Sequence, residues 1–98
     1  MLERDIEQAL VKRVKVLGGK CEKFTSPGRR AVPDRLITLP GGRIIFVEVK
    51  SCGKKPTKLQ SKDHLERKRL GCEVFVLDSI ASVNYFCEGL KKWLNGEQ

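Results

Sequence analysis

Apolar residues Ile6, Leu10, Val14 and Leu17 recur at steps of three and four, which predicts a helix over residues 3 to 17, stopped by Gly18-Gly19. KCEKF, 20 to 24, is a short strand candidate, and TSPGRRAVP, 25 to 33, has the turn residues and charge of a surface loop. DRLITL and GRIIFVEVK form two strands joined through Pro40-Gly41-Gly42, a hairpin signal. SCGKKP is a second basic loop. A helix is then expected from an N-cap at Thr57 to Leu70, with Gly71 as its stop. CEVFVL, 72 to 77, is apolar without a break and is expected inside the sheet. From Ser79, the spacing of Val83, Phe86, Leu90 and Trp93/Leu94 predicts a last amphipathic helix, with Gly96 just past its end. The order α-β-β-β-α-β-α describes an α/β fold, a mixed sheet flanked by helices.

The strand from Arg43 to Lys50 breaks its own pattern. Alternation places Ile44, Phe46, Glu48 and Lys50 on one face and Ile45, Val47 and Val49 on the other. Both faces are apolar as far as Val47, so the strand is expected to be covered on both sides. Its last residues then send a carboxylate and an ammonium out of one face, where desolvation is costly unless each finds a partner. Asp34 begins the antiparallel neighbour, so the hairpin brings it close to Glu48. Two carboxylates held together repel, and a divalent cation relieves the repulsion. Carboxylate oxygens, a main-chain carbonyl and waters describe a Mg2+ site. Lys50 beside it suits a phosphate oxygen or the activation of a water. The competing interpretation is a surface Glu48–Lys50 ion pair, with Asp34 as a turn residue after Pro33.

Size and charge narrow the partners. Ninety-eight residues suit one compact domain spanning 1–98. The net charge is +8, from 20 Lys and Arg against 12 Asp and Glu, which favours a polyanion, nucleic acid first, over a basic surface that merely keeps the chain soluble. No apolar run approaches a membrane span, and MLERDIEQ is too charged for a signal peptide, so a cytoplasmic protein is expected. Cys21, Cys52, Cys72 and Cys87 contain no C-x-x-C pair and are expected to be reduced and mostly buried. His64 is expected to be an ordinary helix residue. Arg13 lies in the apolar arc of the first helix, and a buried partner and a DNA contact both remain open for it. Trp93 and Phe86 suit a core or a subunit interface better than base stacking.

Pro33-Asp34 followed by Glu48-Val49-Lys50 resembles the PD-(D/E)xK nuclease superfamily. The wider pattern is similar to its VRR-NUC branch: an acidic helix, PGRR-x-VPD, GGR-x-x-FVEVK, KKP-x-x-LQ, and a helix ending in LG before E-V-F-V-L. The resemblance covers roughly residues 3 to 80, and free-standing domains of this size look like phage or prophage proteins acting in a bacterial host. It implies a restriction-endonuclease-like fold and a structure-specific DNA endonuclease dependent on Mg2+ or Mn2+, with no small-molecule cofactor and no membrane partner.

Carried over by position, the resemblance makes Asp34, Glu48 and the Val49 carbonyl metal ligands and Lys50 the catalytic lysine. It places a glutamate in the first helix, for which Glu7 is chosen and Glu3 is the fallback. It also places Gln60 in the active site, although Thr57-x-x-Gln60 equally makes a capping box. Ser26, Gly28, Arg29 and Arg30 on one side, and Lys54, Lys55 and Lys58 on the other, are candidate contacts to backbone phosphates. One chain carries one site, so paired cuts in a branched substrate, a four-way (Holliday) junction above all, call for a homodimer. Flap or duplex cutting uses the same residues, and a non-catalytic DNA-binding module is the further alternative.

Overall fold

The computed structural model describes residues 2–97. The elements are α1 (Glu3–Val16), β1 (Lys20–Lys23), β2 (Arg35–Thr38), β3 (Ile44–Val49), α2 (Lys58–Arg69), β4 (Glu73–Leu77) and α3 (Ile80–Leu94). This is the α-β-β-β-α-β-α order expected from the pattern, and the element ends fall within a residue or two of it. The four strands form one sheet in the order β1-β2-β3-β4. β1 pairs antiparallel with β2 and β2 with β3, whereas β4 runs parallel to β3. The β2–β3 hairpin closes through Leu39, whose N–H donates to the Arg43 carbonyl at 2.9 Å, with Gly41 and Gly42 both at positive φ. No helix among the described residues is long and apolar enough to cross a membrane.

One face of the sheet is the apolar core. Ile37 of β2, Ile45, Val47 and Val49 of β3 and Leu77 of β4 meet Ile6, Leu10 and Val14 of α1 and Val83, Phe86, Cys87 and Leu90 of α3. α1 and α3 are also joined at the surface by Arg13, which donates to Asn84 at 2.7 Å and pairs with Glu88 at 3.1 Å. Protein contacts therefore account for Arg13. α3 starts on a reciprocal cap: the Ser82 N–H donates to Ser79 Oγ at 2.9 Å and the Ser79 N–H to Ser82 Oγ at 3.1 Å.

The opposite face holds α2 and differs in kind. The residues α2 buries are Asp63 and His64, while Leu59, Leu65 and Leu70 are exposed. Polar and aromatic contacts hold it down. Arg67 pairs with Asp63 at 2.7 Å and lies over the rings of Phe24, at 5.2 Å, and Phe46, at 4.8 Å. A guanidinium shared between two rings and a carboxylate is well matched electrostatically without leaving water fully.

Three expectations are corrected. β4 is an edge strand, not an internal one: its apolar run reflects helices on both faces near Val74 and Leu77, and Phe75 and Val76 are each 40% exposed. β3 is covered on both sides only in part, because Ile44 at its start is exposed beyond the reach of α2. The cysteines are all free, as expected, but only Cys87 is buried; Cys21 and Cys72 are half-buried and Cys52, in the loop before α2, is exposed.

Gly19 joins α1 to β1 at close quarters. A Cβ there would lie 2.8 Å from the Thr38 carbonyl oxygen, 3.0 Å from Leu39 and 3.1 Å from Val14. The carbonyl belongs to the sheet and cannot yield cheaply, so Gly19→Ala is expected to destabilise the protein by about 1–3 kcal/mol, the usual cost of overpacking. Thermal unfolding checks this; an unchanged melting temperature would contradict the close packing of α1 on the hairpin.

Candidate active site

The sheet register sets the site. Val49 and Asp34 lie across the open end of the β2–β3 hairpin, and the Val49 N–H donates to Asp34 Oδ2 at 2.8 Å. Successive residues of a strand aim their backbone groups to alternate sides, so the Val49 carbonyl faces the same side as its N–H, toward Asp34. The Asp34 carbonyl in turn accepts from the Phe24 N–H at 2.9 Å, which ties the residue to the end of β1. Asp34 is thus held by backbone on two sides before any ligand arrives.

Glu48 projects from the α2 face of β3 and is 1% exposed. Burial, a hydrogen bond to Asp34 and the Asp34 charge push its carboxyl up from 4.5 to about 8, and Lys50 opposes the rise. Its Oε2 lies 3.5 Å from Lys50 Nζ and 3.4 Å from Gln60 Nε2. Its Oε1 is buried without a hydrogen bond, as is Nε2 of His64, 3.6 Å away. Burial lowers the His64 pKa, which favours the neutral imidazole.

Gln60 does both things that its position allowed. Thr57 Oγ1 accepts from the Gln60 N–H at 3.2 Å and Gln60 Oε1 accepts from the Thr57 N–H at 2.9 Å, a complete capping box. The cap uses the amide oxygen and leaves Nε2 turned to Glu48. His64 is the residue whose placement differs from expectation. It is buried at the Glu48 carboxylate, and the signal for that was its spacing: four residues beyond Gln60 is the same face of α2.

Glu7 is not gathered with Asp34 and Glu48 into a ligand cluster; no group of three potential metal ligands of that kind exists among the described residues. Its Oε2 pairs with Arg35 Nε at 2.6 Å, and the Arg35 side chain also donates to the Cys21 carbonyl at 3.2 Å. Glu7 does share a cleft of about 370 Å³ with Glu3, Asp34, Ser26, Arg29 and Arg30. Within the loop, Ser26 and Arg29 close a turn at Gly28, whose φ is +75°. Arg29 extends to Asp63 at 3.5 Å, so the buried carboxylate that holds Arg67 also reaches the loop. Sequence reasoning did not single out Asp63. Arg30, Lys54, Lys55 and Lys58 are exposed around the same end of the sheet.

No protein-family model matches the chain. It is 54% identical over 77 residues, 79% of its length, to "Putative nuclease p44" of Acyrthosiphon pisum secondary endosymbiont phage 1, covering 83% of that protein. A solved "VRR_NUC domain" superposes with a TM-score of 0.84 at 36% identity, over 88% of this chain and 94% of that one. The chain belongs to the VRR-NUC family of nucleases. Its fold is accordingly that of the VRR-NUC branch of the PD-(D/E)xK superfamily.

The residues of this VRR-NUC chain fit a divalent cation. Two adjoining carboxylates, one with a buried oxygen lacking any partner, and a carbonyl turned to the same side form an oxygen donor set short of positive charge. Because folding raises the Glu48 pKa, its stabilising effect is complete below 4.5 and is lost as pH rises through about 8. In chelator at pH 9, Glu48→Gln is therefore expected to unfold at a higher temperature than the parent, by several degrees, with the gap closing toward pH 5. Added Mg2+ should raise the parent's melting temperature and leave the variant's nearly unchanged. Equal pH profiles for the two proteins would remove Glu48 as the strained carboxylate.

Proposed function

We propose that the chain is a divalent-metal-dependent DNA endonuclease that hydrolyses phosphodiester bonds and resolves four-way junctions as a homodimer in the cytoplasm of a bacterial host. The observation that carries this reading is the desolvated Glu48 carboxyl against Asp34, with Lys50 3.5 Å from Glu48. A surface ion pair gives no reason to bury a carboxylate against another carboxylate, whereas a cation-binding nuclease site does.

In this reading Asp34, Glu48 and the Val49 carbonyl are the groups that would hold Mg2+ or Mn2+. The bound cation supplies Lewis-acid polarisation of the phosphate and a more acidic water. The Val49 N–H keeps Asp34 oriented. Gln60, its oxygen committed to the helix cap, turns its amide N–H toward Glu48 and the attacking water. Lys50 donates to a phosphate oxygen and offsets the charge that develops as water attacks in line and the opposite P–O bond breaks. Glu7 stands across the cleft from Asp34 and assists from there, once its pairing with Arg35 loosens. Ser26, Gly28, Arg29 and Arg30 grip the backbone on one side of the scissile bond, and Lys54, Lys55 and Lys58 on the other.

A labelled four-way junction and a matched linear duplex, each with Mg2+, Mn2+ or chelator, test the proposal. Metal-dependent paired cuts confined to the junction are expected. Equal cutting of both substrates would leave a nuclease and sink junction specificity, pointing to flap or duplex cutting. Asp34→Ala should abolish cutting while retaining DNA binding; unimpaired cutting would remove the site. Lys50→Met is expected to lower turnover by roughly 100-fold or more, with metal-induced stabilisation retained, because the lysine acts on the phosphate and not on the cation. Binding without any cutting by the parent protein would leave a non-catalytic DNA-binding module.

A further inference from the structure

We propose that the exposed edge of β4, with the apolar cleft beside it on α3, is the surface on which a second copy of this chain docks, the two β4 strands pairing antiparallel across a two-fold axis at Phe75. The inference deepens the homodimer reading above and rests on it for the existence of a dimer; what it adds is the interface.

The two edges of the sheet are treated differently. β1 carries exposed Lys20, Glu22 and Lys23, the kind of charged edge that discourages pairing with another chain. β4 carries no lysine or arginine. Its single charge, Glu73, is bound by Arg43 at 2.5 and 2.8 Å, and its side chains Phe75 and Val76 are 40% exposed. A long apolar edge of this kind is an association site unless something covers it.

Its backbone is self-complementary. The Lys50 N–H donates to the Leu77 carbonyl, so Leu77 points its backbone at β3, and by alternation Phe75 and Glu73 do too. The N–H and C=O groups of Val74 and Val76 therefore point outward. With a two-fold axis at Phe75, Val74 of one copy opposes Val76 of the other, and the two pairs exchange about four backbone hydrogen bonds. The two Phe75 side chains then meet as a close, non-hydrogen-bonded pair on the α3 face.

That face is prepared for contact. A cleft of about 450 Å³ lies there, lined by Arg43, Phe75, Phe86, Leu90 and Trp93, with Tyr85 at its mouth and no lysine in its lining. Tyr85 is 86% exposed and Trp93 45%. Arg43 is neutralised by Glu73 and stacks on Trp93 at 4.5 Å. On a chain of net charge +8, the lining of this cleft holds no lysine and its one arginine is paired. The resulting sheet is continuous through both copies. Strand spacing and rise then put the two Glu48 residues about 15 Å apart on one face, a symmetric pair of sites for paired cuts.

Sedimentation equilibrium of the full chain at tens of micromolar tests the interface, with Tyr85→Lys and Val76→Pro compared with the parent and circular dichroism confirming that each is folded. Tyr85→Lys leaves the fold intact because the side chain is almost wholly in solvent, and Val76→Pro deletes one outward N–H per copy. The parent is expected at twice the chain mass, and each variant is expected to dimerise at least about tenfold more weakly. Both variants should still nick single strands of a junction while losing paired cuts. A parent dimer whose affinity neither variant alters would overturn this interface and leave the homodimer reading standing. A monomeric parent, with or without junction DNA, would overturn both, as would a mass that climbs past the dimer with concentration.

Discussion

Everything at the open end of the sheet follows from one constraint: Glu48, on a central strand, has its carboxylate out of water and against Asp34. Such a group is costly, and the surrounding structure reads as a set of responses to it. Lys50, two residues on, returns to the same face through strand alternation. Gln60 arrives from the first turn of α2 with its amide nitrogen free because the cap takes its oxygen. His64 follows one turn later. One oxygen of Glu48 still has no partner, so the network is incomplete in protein terms. An incomplete polar network in a buried place costs stability, and a nuclease has reason to bear that cost where its chemistry is done.

The same constraint explains why α2 lies with a polar face inward. An ordinary amphipathic helix would turn Leu59, Leu65 and Leu70 to the sheet. Here they face solvent, and Asp63, His64 and Arg67 face the protein. The helix is anchored by Arg67 between Phe24 and Phe46 and by the Asp63 carboxylate, leaving its N-terminal turn aligned with Glu48. Asp63 also reaches Arg29. The position of the basic loop and the position of the site-forming helix are therefore joined through one buried carboxylate.

The two faces of the sheet divide the labour. The α1/α3 face supplies nearly all of the apolar burial and fixes the hairpin against it, with Ile45, Val47 and Val49 anchoring the strand that carries Glu48 and Lys50 on the other side. Precision at the site is thus inherited from packing beneath it: alternation converts a rigid apolar face into a rigid polar one. The edges divide likewise, β1 charged and β4 apolar, which gives the molecule one side suited to solvent and one suited to contact.

Much of this was legible in the chain itself. The helix periods, the glycine stops, the hairpin at Pro40-Gly41-Gly42 and the pairing of Asp34 with the end of β3 depend on local spacing, which the order of residues determines by itself. So does the capping box at Thr57 and Gln60. What the order of residues could not decide is which strand lies outermost, because an apolar run such as EVFVL is compatible with an interior strand and with an edge waiting for a partner. Nor could it orient α2, whose mixed surface has no dominant apolar stripe; its direction depends on Phe24, just past β1, and Phe46 of β3 lying together at 5.3 Å, which only the folded sheet brings about. His64 and Asp63 owe their burial to that orientation, and Glu7 owes its pairing with Arg35 to the packing of α1 beside β2. Local spacing sets which groups share a face; the three-dimensional packing of faces sets which of those groups lose water, and the chemistry of this site begins with that loss.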